Sequence, residues 1–258
     1  MTKKQKILLD ILEQNGWDVF SHEMLLSEGS LSPSEIWETL RFLTKNKIVI
    51  RIEKGKYYRN NFSDENVIAC FIAKKSSVAY WSALNMHGLT EQFPNILFVQ
   101  NIQRSDKFKI PETGLTIKFI KVKQEKIFGL KSYGYGNHTW QMTDIEKTIV
   151  DCFDLPQYSG GYPEIIKGFY NAKLNANKLI RYCKKTGNHS ITRRLGFLAE
   201  LLKKPNLDKF IDFSLSTINE SYILFENGIP KTNDINKKWK IYVNLSGEEI
   251  IGMAKSIY

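Results

Sequence analysis

The chain has 258 residues, and 37 Lys and Arg against 27 Asp and Glu give it a net charge of +10. Hydrophobic residues make up 42% and charged residues 25%, a globular composition that excludes a disordered, collagen-like or low-complexity chain. The longest apolar runs, such as residues 67–73, stop at about seven, far short of the roughly 20 that a membrane helix needs.

Ile7, Leu8, Ile11 and Leu12 recur on one face of a first helix, with Asp10 and Glu13 outside it and Asn15-Gly16 as its stop. Residues 21–26 fit a short second helix, and Glu28-Gly29-Ser30 a turn. A third helix then starts with a strong signal: Ser32 as N-cap, Pro33 at the first helical position and Glu35 completing a capping box. It runs to about Lys45. Its apolar stripe is Ile36, Leu40 and Leu43, and Ser34, Glu38, Arg41 and Lys45 line the opposite side.

Residues 47–52 read as a strand, Glu53-Lys54-Gly55-Lys56 as a tight turn, and Tyr57-Tyr58-Arg59 as the returning strand. Three helices followed by a basic two-stranded hairpin predict a winged helix-turn-helix domain over residues 1–62. Between Arg41 and Arg59 stand seven basic residues, Arg41, Lys45, Lys47, Arg51, Lys54, Lys56 and Arg59, against the single acid Glu53. In this reading they contact phosphate, while Arg41 or Ser34 reaches a base edge. Glu38 accepts from a cytosine amine or faces away. The competing reading is a winged helix used for protein contacts, with an ordinary solvated charged face.

Polar residues 60–65 suit a junction to a larger mixed α+β domain over residues 63–258. A helical pattern in two pieces spans 67–87, around Lys74-Lys-Ser-Ser. Residues 95–100 and 115–123 read as strands, and 132–142 as a bulged strand or hairpin broken by Gly134 and Gly136. Thr143-Asp-Ile-Glu has capping-box spacing for a helix continued by Ile145, Ile149 and Phe153. Helices dominate 163–215, and 239–245 alternates as a last strand. From Lys167 to Lys209 there are eleven basic residues and two acids. Lys184, Lys185, Arg193 and Arg194 within it are candidates for a second anion-binding surface, with a solvated helix face as the alternative.

Motifs for other chemistry are missing or weak. There is no phosphate loop, complete dinucleotide fingerprint, kinase motif, nucleophile elbow or H-E-x-x-H. Asp144, Asp151 and Asp154 could share a helix face and hold magnesium, although capping and pairing with neighbours such as Lys147 explains them more simply. His87 reads as a helix C-terminal histidine that satisfies carbonyls. Cys70, Cys152 and Cys183 are widely spaced, with no C-x-x-C pair, which predicts reduced buried thiols and neither zinc nor disulfides. No catalytic residue, metal or cofactor is expected. Acids at Asp10 and Glu13 interrupt the first apolar segment, so no signal peptide is expected and the location is read as cytoplasmic.

Three stretches carry a family resemblance. The first is Tyr80-Trp81-Ser82-Ala83-Leu84-Asn85-Met86-His87-Gly88-Leu89-Thr90-Glu91-Gln92. The second runs Asp144-Ile-Glu-Lys-Thr-Ile-Val-Asp-Cys-Phe-Asp, followed by Pro156 and Tyr158-Ser-Gly-Gly-Tyr. The third is Arg193-Arg194-Leu195-Gly196-Phe197-Leu198. With the amino-terminal winged helix and its Gly55-Lys-Tyr-Tyr wing, the chain resembles the AbiEi-type antitoxins of bacterial type IV toxin–antitoxin systems, associated with abortive infection. The resemblance implies an autorepressor that binds double-stranded DNA repeats in its own promoter. It also implies a carboxy-terminal domain that counters a nucleotidyltransferase-type toxin without a lasting complex. Two alternatives stay open: an atypical phosphotransferase that modifies the toxin, and an RNA-binding or toxin-sequestering module. In the sequence itself, Gly88, Gly160 and Gly161 suit turns, Leu195, Phe197 and Leu198 suit packing, and one of Arg193 and Arg194 is expected to pair with Asp151 or Asp154 while the other faces a partner.

Overall fold

A computed structural model describes residues 1–110 and 113–256. The chain opens with α1 (Lys3–Gln14), β1 (Val19–Ser21), α2 (His22–Ser27), α3 (Pro33–Lys45), β2 (Val49–Glu53) and β3 (Lys56–Arg59). The start of α3 follows from its sequence: Ser32 Oγ accepts from the Glu35 amide, and the Glu35 carboxylate accepts from the Ser32 amide at 2.9 Å. These bonds hold the Glu35 carboxyl down at about 2, with help from Lys4 at 3.2 Å. Ile36, Leu40 and Leu43 are buried against Leu8, Leu12, Phe20 and Leu25, so one apolar stripe per helix builds this core. β1 pairs with β3 and β3 with β2, all antiparallel, in a sheet ordered β1-β3-β2.

The middle of the chain holds α4 (Glu65–Ile72), β4 (Ser77–Val78), α5 (Tyr80–Met86), β5 (Ile96–Asn101), β6 (Lys107–Lys109), β7 (Thr116–Lys121), β8 (Leu130–Tyr133) and β9 (Trp140–Thr143). Its strands form one mixed sheet ordered β6-β7-β5-β4-β9-β8, in which β5 and β7 are parallel, as are β4 and β9. Residues 132–142 form a hairpin, Ser132 opposite Gln141. The buried side chains of this sheet and α4 form one cluster with Ile50, Ile52 and Tyr58 of the first hairpin.

Helices α6 (Ile145–Asp154), α7 (Tyr162–Asn171), α8 (Ala176–Thr186), α9 (His189–Leu201) and α10 (Asp208–Ser216) follow. A small sheet of β10 (Ile223–Leu224), β11 (Ile235–Asn236) and β12 (Ile241–Tyr242) comes next, and α11 (Gly247–Lys255) closes the described chain. The whole is a mixed α+β fold.

Two local expectations need correction. The cap of α6 is Asp144, whose carboxylate accepts from the Lys147 amide at 3.0 Å. Thr143 instead hydrogen-bonds Thr148, and Glu146 turns inward to the Asn175 amide. Residues 239–245 keep their alternation, with Trp239, Ile241, Val243 and Leu245 buried, but only Ile241 and Tyr242 pair as a strand.

Candidate nucleic-acid interface

The outer face of α3 is open. Ser34, Trp37, Glu38, Arg41 and Lys45 are all exposed, as the four-three-four spacing of the polar residues predicts. With Thr44, Arg51 of β2 and the edge of Tyr57 they line a groove of about 590 Å³. Trp37 is the residue that stripe reasoning missed. It is 42% exposed, and its ring stacks on His22 at 4.3 Å between centroids. An aromatic beside the buried Ile36 reads as core in a sequence. Its exposure follows only from the helix phase, which turns neighbouring residues apart by about 100°.

The structure divides the predicted basic residues by what they touch. Arg41, Lys45, Lys47 and Lys54 are exposed and hold no ion-pair partner among the described residues. Arg51 donates only to the Glu53 carbonyl, at 3.3 Å. Arg59, in contrast, is held by Glu13 at 2.9 Å and Asp18 at 3.6 Å. Lys47 lies with Arg59 along a different groove that also carries Asp10 and Glu13. Lys56 is tied to Glu53 at 2.9 Å and to the Ile72 carbonyl. So Ser34, Glu38, Arg41, Lys45 and Arg51 converge, Lys54 stands at the adjoining turn, and Lys56 and Arg59 are engaged internally.

The second basic surface does not form as the sequence suggested. Lys184 and Lys185 are exposed, their ammonium groups over the rings of Phe213 at 5.2 Å and Phe128 at 4.4 Å. Arg193 and Arg194 are buried, at 2% and 5% exposure. Neither pairs with Asp151 or Asp154. Their partners are backbone carbonyls and asparagine side chains of the segments around β10 and β12.

The carboxylates of α6 are likewise occupied. Asp144 accepts from Tyr182 at 2.7 Å and pairs with Lys178 at 3.1 Å, Asp151 pairs with buried Lys147, and Asp154 pairs with Lys126. Burial pushes the Asp151 carboxyl up, and Lys147 offsets this only in part. Among the described residues no group of three His, Cys, Asp or Glu is placed to hold a metal ion. His87 caps the end of α5, and its Nε2 meets the Thr143 carbonyl at 2.7 Å. All three cysteines are free, and burial pushes the Cys70 and Cys183 thiols up to about 12.

The three motif stretches meet inside the fold. The Tyr80 ring lies edge-on to Tyr158 at 5.8 Å, and Thr90 donates to the buried Glu164. Leu195, Phe197 and Leu198 are core residues.

No family model matches this chain, and no curated protein does. Among solved structures it is similar to the RV2827C protein from Mycobacterium tuberculosis, with a TM-score of 0.61 at 12% identity. The likeness covers 93% of this chain and 91% of that one. It shows a shared fold. Among the described residues no helix is long and apolar enough to cross a membrane.

Proposed function

We propose that the chain is a DNA-binding transcriptional autorepressor and antitoxin, with residues 1–62 acting as a winged helix-turn-helix and residues 63–258 as the antitoxin domain. One observation carries the DNA reading. The open face of α3 gathers Ser34, Glu38, Arg41 and Lys45 with Arg51, and among the described residues none of its cations forms an ion pair. An α-helix with such a face fits the major groove, which is about 12 Å wide. Arg41 is the residue for a base edge, and Lys45, Arg51 and Lys54 are those for phosphate. Lys56 and Arg59 drop out of the contact set, because binding phosphate would break their ion pairs. The antitoxin role rests on the motif resemblance, with a nucleotidyltransferase-type toxin as the functional partner and the cytoplasm as the location. Asp144, Asp151 and Asp154 each hold a lysine, which weighs against the phosphotransferase alternative.

The test is a gel shift on the chain's own upstream DNA against a scrambled duplex of equal length, at two salt concentrations. A specific shift that survives the higher salt is expected. Lys54→Glu should then weaken binding to both duplexes, whereas Arg41→Ala should erode the preference between them by about 1–3 kcal/mol. Equal binding to both, lost at higher salt, would leave only a basic surface and overturn the reading. For the antitoxin half, co-expression should relieve toxin arrest with no co-elution of the two proteins on a sizing column. Co-elution would replace neutralisation without a complex by sequestration.

A further inference from the structure

The hairpin turn that carries Lys54 does not end in solvent. Lys56 Nζ donates to the Ile72 carbonyl at the end of α4, and Arg104 Nη1 donates to Glu53 at 2.6 Å. The first link brings the connection between α4 and β4 alongside the hairpin, and this connection displays Lys74 and Lys75. Both lysines are exposed, and neither has an ion-pair partner among the described residues.

Their backbone is fixed. The Lys74 amide donates to Gln103 Oε1 at 2.7 Å, Ser76 Oγ donates to the Ala73 carbonyl, and Lys75 takes a left-handed φ of 52°. Two acids at the hairpin and the neighbouring loop already hold cations. Glu53 is bound by Lys56 and Arg104, and Asp106 by Arg104 at 2.5 and 2.7 Å. Two cations thus stand on a braced turn, with Glu53 and Asp106 beside it already paired.

A contact path joins this turn to the α3 groove. Trp37 stacks on His22, the His22 amide donates to the Gly55 carbonyl at 2.8 Å, and the next residue, Lys56, reaches Ile72. We infer that DNA seated in the α3 groove continues past Lys54 onto the turn of Lys74 and Lys75, which binds its phosphates. This rests on the DNA reading proposed above. The contact set of the repressor therefore extends beyond residues 1–62 into the middle of the chain. Because phosphate contacts position without reading sequence, these lysines add affinity and register and leave base preference to α3.

The experiment compares the full chain with the Lys74→Gln/Lys75→Gln double variant, titrated on upstream and scrambled duplexes over a range of salt. Two lost phosphate contacts should reduce the log–log salt slope by about 1.8, at about 0.9 per phosphate. Between about 50 and 200 mM salt the variant should therefore lose about twelvefold less affinity than the parent. The preference for upstream DNA should persist. A parent-like slope and affinity in the double variant would overturn this inference and leave the α3 reading standing. A parent that never prefers upstream DNA would remove both. Thermal melts of the variant should match the parent, because both side chains project into solvent.

Discussion

Arg193 and Arg194 carry their charge into the protein. Arg193 donates to the carbonyls of Ser221 at 2.6 Å and Lys240 at 3.4 Å and to Asn219 at 2.9 Å, while Arg194 clasps the Leu224 carbonyl and Asn227. Burial pulls both guanidinium groups below their ordinary value, yet a group this basic stays charged. Together they pin the segments around β10 and β12 to α9. Arg193→Ala should cost about 1.5–3 kcal/mol in urea unfolding, because it removes the charged donor that ties α9 to Ser221, Asn219 and Lys240. Arg193→Lys should not restore this, since one ammonium cannot span the fork of acceptors. Lys184→Ala and Lys185→Ala should each cost at most about 1 kcal/mol, the worth of an exposed cation over a ring. Equal costs at Arg193 and Lys184 would contradict this division. The sequence could not reveal it. Helical spacing shows that adjacent arginines diverge, but their acceptors lie between 26 and 47 residues away, in segments that only the folded chain brings to α9.

Among the elements, those with local causes were legible and those with distant causes were not. The Ser32 cap, Pro33 and Glu35 announce α3 within four residues, and the same stretch fixes which face the groove occupies. Strands β1, β4 and β6 have two or three residues each and exist because neighbouring strands complete them. Such segments carry too few alternations to be read alone. Gly196 is the converse case, a residue whose reason appears only when α9 is packed. A Cβ there would stand 2.5 Å from Ser214 Cβ and 2.6 Å from the Trp239 ring. That ring cannot yield easily, since it is fully buried and its Nε1 donates to Glu200 at 2.7 Å. Gly196→Ala gains up to about 1 kcal/mol in helix propensity but overpacks the contact by about 1–3 kcal/mol or more. The net effect should be destabilisation of roughly 2 kcal/mol, with near-ultraviolet dichroism of the tryptophans changed. A variant more stable than the parent would mean that α10 can move away freely.

At the scale of the whole molecule, the first sixty residues are held against the end of the central sheet at both sides. On one side Asn137 donates to the Asn15 carbonyl at 2.5 Å. On the other side Arg104 bridges Glu53 and Asp106 while stacking on Phe119 at 4.8 Å. Polar residues 60–65 mark a junction in the sequence, yet the clamp across it is invisible there, because its partners come from four separate segments. The Glu53 carboxyl reports on this clamp. Burial raises its pKa, but hydrogen bonds from Lys56 and Arg104 outweigh burial and hold it below its ordinary 4.5. A folded value below the unfolded one contributes stability that is complete above that ordinary value and is lost as pH falls through the folded one. Glu53→Gln should therefore lower Tm near neutral pH, and its gap from the parent should close as pH falls from above 4.5 through the lowered folded value. A gap that stays constant across that range would assign the contribution of Glu53 to packing. If the gap closes, charge holds the first hairpin to the Arg104 loop of the central sheet, across the junction that residues 60–65 mark.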